Sequence, residues 1–327
     1  MKILLGTDGS SHALAAAQFL AHRIPGSETR VDLVRVASPS RRRRGGRERR
    51  YQAPEPGEGL DAWLDQSEWP LTMKGFDVRK LTRWGVPAHV LTELAMDGDY
   101  DLVVVGAKGR SETPFHDVGS VALSVLEHVP APVLVVRNEG EGRSRTSRPG
   151  QHKVPFRVLV PTDGRAYSHE AVRTFLSHFR CFGVELVVAS AVANLPGELI
   201  ERLSDSEAQR IMRHWEEVTE AHLKEMVEEI EPSGLPVRVR RLHGPPGRSI
   251  LEAAREDPVD LIVMGSRPVH DPQVRHLGGV GGHVARSAPC TVFVVRKRDR
   301  IAKSSDRGLP TLSSLRTSET SEARKGA

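Results

Sequence analysis

The stretch that decides the fold is Asp101-Leu-Val-Val-Val-Gly106-Ala-Lys-Gly109, followed nine residues later by Gly119-Ser120 and then by Ala131-Pro-Val-Leu-Val-Val136. Short unbroken apolar runs bounded by Gly and Pro are the pattern of strands buried on both faces. A Gly-rich turn leaving one such strand, with Gly-Ser opening a helix before the next, gathers backbone N–H groups around one point. Glycine lets the backbone approach closely, and a helix start adds unbonded donors and a positive dipole end. The pattern therefore points to an anion site, and first of all to a bound nucleotide.

Working outward, the whole chain is a duplication. Lys2-Ile-Leu-Leu-Gly-Thr-Asp8-Gly9 returns as Arg157-Val-Leu-Val-Pro-Thr-Asp163-Gly164, and Asp101-Leu-Val-Val-Val-Gly106 returns as Asp260-Leu-Ile-Val-Met-Gly265. Copies this long fit two α/β domains, not a solenoid, whose repeats are roughly 20–50 residues. In the first copy, strands are expected near 2–7, 30–37, 76–83, 101–106 and 132–137, and helices near 11–24, 60–73, 87–97 and 119–128. Alternation of this kind implies right-handed parallel crossovers, with helices on both faces of one sheet. Ligands of such sheets bind beyond the carboxyl ends of the strands. Asp8, Val36, Gly106 and the Gly119-Ser120 turn are expected to converge there.

The expected boundaries are a first domain over 1–138, a linker over 139–153, a second domain over 154–297 and a disordered tail over 298–327. In the second copy, residues 207–231 read as an amphipathic helix with Ile211, Trp215, Val218, His222 and Met226 on one face and a Glu220–Lys224 pair. The equivalent place in the first copy holds a long excursion that includes the run Arg41–Arg50.

The 327 residues carry a net charge of +5, but the basic groups are local. Seven Arg and one Glu lie in 41–50, five basic and two acidic groups in 137–154, and eight and four in 297–327. The rest of the chain is net acidic, which disfavours a nucleic-acid-binding surface on the fold itself. No apolar run approaches the roughly 18 residues of a membrane span. Strand-like sequence from Ile3 leaves no place for a signal peptide. Cys181 and Cys290 form no CxxC pair and read as buried free thiols of a cytoplasmic protein.

These residues resemble the universal stress protein family in its tandem two-domain form. The first copy carries the pattern G-x2-G-x9-G-[ST] in full, through Gly106, Gly109, Gly119 and Ser120. The resemblance implies the ATP-binding branch and a Rossmann-like fold of the adenine nucleotide alpha hydrolase-like kind. Each domain is then a five-stranded parallel sheet of order 3-2-1-4-5, associating through its last strand. It further implies ATP, alone or with Mg2+, held by that loop, by Asp8 at the end of the first strand and by Val36 at the end of the second. Gly6, Val105, Lys108 and Val121 complete the expected nucleotide set, Lys108 as a point charge for the outer phosphates. The second copy departs from the pattern. Gly265 is kept, but Pro268 replaces the second Gly and Gly278-Gly279 replaces Gly-Ser. Proline removes a donor and fixes φ. A weaker second site would rest on Asp163, Gly265, Arg267, Gly278 and Gly279.

Other signals carry less. There is no Walker A loop and no GxSxG elbow, and His169-Glu170 lacks the second His of a zinc motif because Arg173 stands there. The Arg41–Arg50 run reads as a solvated insert, with a polyanion contact or a charged lid over the first-copy site as the alternatives. The implied function is a stress-response regulator acting through nucleotide-dependent conformation or an unknown protein partner. Slow hydrolysis stays open, with no catalytic residue evident. A nucleotide-free interaction scaffold of the same fold is the alternative, and exposed last strands would allow a homodimer.

Overall fold

A computed structural model describes residues 1–37, 62–110, 118–138, 155–192, 202–266 and 279–296. The Arg41–Arg50 run, the 139–153 linker, the 298–327 tail, Arg267 and Gly278 lie outside these residues. In the first copy, strands β1 (Lys2–Thr7), β2 (Arg30–Ala37), β3 (Asp77–Trp84), β4 (Leu102–Gly106) and β5 (Val133–Val136) alternate with helices α1 (Ser11–Arg23), α2 (Ala62–Thr72), α3 (Pro87–Asp97) and α4 (Ser120–His128). The second copy repeats the plan with β6 (Phe156–Pro161), β7 (Val184–Val192), β8 (Val237–His243), β9 (Leu261–Ser266) and β10 (Thr291–Arg296). Its helices are α5 (Ala166–His178), α6 (Asp205–Ile230), α7 (Pro246–Glu256) and α8 (Gly279–Ser287).

Within each copy all pairings are parallel and the strand order is 3-2-1-4-5, as the alternation requires. The two sheets then become one. β5 and β10 pair antiparallel, Leu134 opposite Phe293 and Val135 opposite Val292, giving ten strands in the order β3-β2-β1-β4-β5-β10-β9-β6-β7-β8. Association runs through the last strands, as the resemblance implied, but within one chain, so these strands are not the exposed edges that would allow a homodimer. The outer edges are β3 and β8. Their charges (Arg79, Lys80 and Arg83 on β3; Arg238, Arg240 and Arg241 on β8) oppose further strand addition.

Two apolar layers flank the sheet. One joins α1, α2, α5 and α6 to residues such as Leu5, Leu33, Val160 and Phe293, and the other joins α3, α4, α7 and α8 to residues such as Val103, Val135, Ile262 and Val294. Near the junction, Phe179 meets Phe19 and Phe293 with ring centroids 6.3 and 5.1 Å apart. Two arginines then bridge the copies in a symmetric way. Arg296, ending β10, donates through Nη1 to the carbonyls of Glu127 (3.2 Å) and Val129 (2.8 Å) and through Nη2 to that of Leu126, at the carboxyl end of α4. Arg137, just past β5, donates to the Arg286 carbonyl at the carboxyl end of α8 (3.3 Å). A cation at a helix carboxyl end satisfies carbonyls left without intrahelical donors and opposes the negative dipole end.

A buried charge holds the amino ends of the first-copy strands. Asp32 on β2 is fully buried. Its carboxylate accepts from Arg79 Nε (2.8 Å) and Nη2 (2.7 Å) and from the Tyr100 hydroxyl (2.7 Å). Burial pulls the Asp32 pKa upward, but the Arg79 and Tyr100 hydrogen bonds outweigh it and hold the carboxyl below its usual value. Tyr100 is pushed up to about 12, by burial first and then by its bond to Asp32.

Two local readings need correction. Helix α6 exists and starts at a capping box, Ser204 with Glu207. Its buried stripe is Thr219, Leu223, Met226 and Ile230, whereas Val218 is exposed. All four lie in the second half of the helix, which is the part that meets the core. Lys224 pairs with Glu228 (3.8 Å), and Glu220 pairs with Arg241 of β8 (3.7 Å), so the expected Glu220–Lys224 pair is not formed. Both cysteines are free but only half-buried. Desolvation raises both thiols, Cys290 to about 12. Among the described residues no helix is long and apolar enough to cross a membrane.

Candidate functional site

The conformation of β1's exit loop follows from its sequence. Gly9 adopts φ +74°, and Ser10 caps α1 by accepting the Ala13 N–H (3.2 Å). Asp8, exposed between them and the strand, accepts the Ser10 N–H on Oδ1 (2.9 Å). The exit loop of β4 docks against this turn. The Arg110 N–H donates to Asp8 Oδ2 (3.0 Å), and Ser10 Oγ donates to the Lys108 carbonyl (3.3 Å). Thus Asp8, Lys108, Gly109 and Arg110 are brought together although about a hundred residues separate them in sequence.

Behind the loops the backbone is tight. A Cβ on Gly106 would lie 2.8 and 2.9 Å from His12 C and Ala13 N, so glycine here lets α1 sit directly on the end of β4. The Gly119 N–H donates to the Ala107 carbonyl (2.7 Å), which ties the start of α4 to the same loop. Ser120 is exposed at the first position of α4 and Val121 is half-buried beside it. Gly6 is buried in β1, Val105 is buried in β4, and half-buried Val36 stands one residue before the end of β2. All ten first-copy positions therefore lie at or just beyond the carboxyl ends of β1, β2 and β4. A carboxylate has more acceptor capacity than two backbone donors use, so Asp8 keeps lone pairs for a ligand hydroxyl or amine.

The neighbourhood also contains residues that the motif reading passed over. Trp63, at the start of α2, packs its ring on Gly9, where a Cβ would lie 2.5 Å from Trp63 Cγ. The Arg110 guanidinium carbon stands 4.0 Å from the centre of that ring, and that of Arg35 stands 5.3 Å from it. Arg35 is buried on β2. The signal available in the sequence was an aromatic residue at the start of the expected 60–73 helix and an Arg directly after Gly109.

The second copy is built alike but differs chemically. Asp163 is exposed after β6 and accepts from Ser168 Oγ (3.0 Å) and the Arg165 N–H (3.3 Å). Gly265, in β9, takes the place of Gly106, with Tyr167 O only 2.2 Å from where a Cβ would be. Gly279 is exposed at the start of α8. His222 of α6 packs on Gly164, where Trp63 packs on Gly9 in the first copy.

The first copy brings two strand-exit turns and a helix start to the carboxyl ends of its strands, and the second copy repeats the 3-2-1-4-5 sheet. The Universal stress protein family profile matches residues 1–137 and again 156–296. The chain belongs to the universal stress protein family. Among curated relatives, a universal stress protein of Methanocaldococcus jannaschii is 31% identical over 150 residues, 43% of this chain and 82% of that protein. One from Thermus aquaticus is 29% identical over 140 residues, 42% of this chain and 97% of its own length. Among solved structures, a universal stress protein from Archaeoglobus fulgidus aligns with TM-score 0.55 at 19% identity, covering 91% of this chain and 97% of that one. The last comparison spans both copies and supports the joined tandem fold.

Proposed function

We propose that this tandem universal stress protein binds an adenine nucleotide, ATP in the first instance, through its first copy, and that binding regulates its conformation or choice of protein partner. The observation that carries the reading is the complete G-x2-G-x9-G-[ST] loop at the carboxyl end of β4, docked on the Asp8 turn. In this reading the Gly106–Gly109 backbone and the start of α4 hold phosphate, Asp8 takes the ribose or base, and Val36, Gly6, Val105 and Val121 line the base and loop. The residues fit such a ligand: α4 presents its positive end, Lys108 adds charge, and Gly106 lets α1 sit directly on the end of β4 beside the loop. Mg2+ would arrive with the nucleotide, since that ion keeps several waters and is held largely by substrate phosphates. Hydrolysis is at most slow. Two free thiols agree with a cytoplasmic location.

In the second copy, Pro268 and Gly279 replace the loop Gly and Ser, so that site is weak or lost. The scaffold reading has one observation in its favour: both Asp8 oxygens already accept loop N–H groups, as a purely structural turn would arrange. Acid extraction of the purified chain decides between the two. About one nucleotide per chain, lost in Gly119→Glu, supports nucleotide binding. A ligand at a hundred times its Kd adds about 2.7 kcal/mol of stability, so Mg-ATP should raise the melting temperature measurably. No nucleotide and no shift would favour the scaffold.

A further inference from the structure

Arg110 is anchored twice, by different means. Its backbone N–H is fixed on Asp8 Oδ2 (3.0 Å), whereas its exposed guanidinium lies over Trp63, 4.0 Å from the ring centre. The first anchor holds the loop and the second holds only the side chain, so the guanidinium can leave the indole without undoing the loop. The charge therefore sits in reserve immediately after Gly109.

The second copy supplies an internal control. At the same spacing, Val269 stands where Arg110 would be and His222 where Trp63 would be. The copy whose loop pattern is degraded has thus lost both members of the stack. The copy that keeps the pattern keeps both.

We propose that Arg110, parked on Trp63, is a specificity-determining residue of the first-copy site. It selects nucleotides with a chain of phosphates over those with one phosphate or none. This rests on the nucleotide reading above. The loop amides and the α4 start can hold the first phosphate they meet without any help from Arg110. The guanidinium moves only if it exchanges the indole for a partner of higher charge. A cation stacked on tryptophan is worth about two- to thirtyfold in an equilibrium, and a ligand must offset that loss. The outer phosphates can do so, because a planar guanidinium binds phosphate oxygens through paired, charge-assisted hydrogen bonds. A nucleoside offers nothing comparable and leaves the stack intact.

The experiment uses the full chain with Trp69, Trp84 and Trp215 replaced by Phe, so that Trp63 is the sole indole. ATP, AMP and adenosine are titrated while Trp63 emission is followed, and affinities are measured by calorimetry. ATP is expected to change the emission as Arg110 departs, and adenosine to leave it unchanged. Arg110→Gln should lower the ratio of ATP to adenosine affinity at least tenfold, equivalent to about 1.4 kcal/mol. Arg110→Lys should recover part of that ratio, and Trp63→Leu should raise ATP affinity because no stack has to be broken. Arg110 and its guanidinium are exposed, so an unchanged urea midpoint in Arg110→Gln certifies the fold. An unchanged ratio, or identical Trp63 responses to ATP and adenosine, overturns the role of Arg110 while nucleotide binding stands. Absence of binding by any of the three ligands overturns both.

Discussion

Asp32 offers the most direct test of how the first-copy sheet is held. The carboxylate is fully buried and receives three hydrogen bonds, two from Arg79 and one from Tyr100, with Arg30 Nε a further 3.6 Å away. Asp32→Asn keeps the shape but turns one oxygen into a donor facing Arg79. Breaking a buried pair from one side costs about 3–5 kcal/mol when the partner is also buried. The Arg79 side chain is 49% exposed and can recover water, so the expected loss is smaller, about 2–3 kcal/mol at pH 7. Urea unfolding of wild type and variant, followed from pH 7 to pH 3, measures it. The folded pKa of Asp32 is lowered, so its contribution is complete above the unfolded value near 3.9 and disappears as pH falls through the folded value. The gap between the two proteins should therefore be full at pH 7 and narrow progressively once the pH falls below about 4. A gap under about 0.5 kcal/mol at pH 7, or one that widens on acidification, would refute a stabilising Asp32.

Tyr100, raised to about 12 by burial and by Asp32, should titrate late in alkaline difference spectra. Its share of the stability is complete below about pH 10 and fades as pH rises toward 12, and Asp32→Asn should move the transition down. Arg296→Met removes the cation and donors from the carboxyl end of α4, at a cost of about 1–3 kcal/mol. Calorimetry should show a fall of about 3–6 °C, and no fall would mean that water replaces the arginine fully. Gly265→Ala drives a methyl against the Tyr167 carbonyl and should cost about 1–3 kcal/mol in urea melts, with no loss expected only if α5 can slide away.

Much of the fold was legible because its determinants are local. Apolar runs bounded by Gly and Pro put β4 and β5 within a residue of their observed limits, and Pro87 marked the start of α3. Edge strand β3 was placed one residue early (76–83 against Asp77–Trp84), because its exposed charges give little periodicity to read. In α6 the helix was legible but its buried face was not, since hydropathy cannot tell which half of a long helix meets a sheet. The loop pattern was visible through Gly106, Gly109, Gly119 and Ser120. Trp63 and Arg35 were not, because they reach the loops from α2 and β2, far along the chain.

By itself, then, the sequence determined the duplication, the order and nature of the elements, the family and the loop that distinguishes the copies. These depend on short-range periodicity and spacing, which a chain displays without folding. The family resemblance implied association through the last strands, but only the tertiary structure decided that the two copies of one chain would supply both, antiparallel, with Leu134 opposite Phe293. It alone decided that Asp32 would be buried with Arg79 and Tyr100, that Arg296 would cap α4 and that Arg110 would rest on Trp63. Each of these joins groups 47 to 170 residues apart. Their pairing is set by which buried charges and open edges most need a partner once the sheet has formed, and no local pattern encodes that choice.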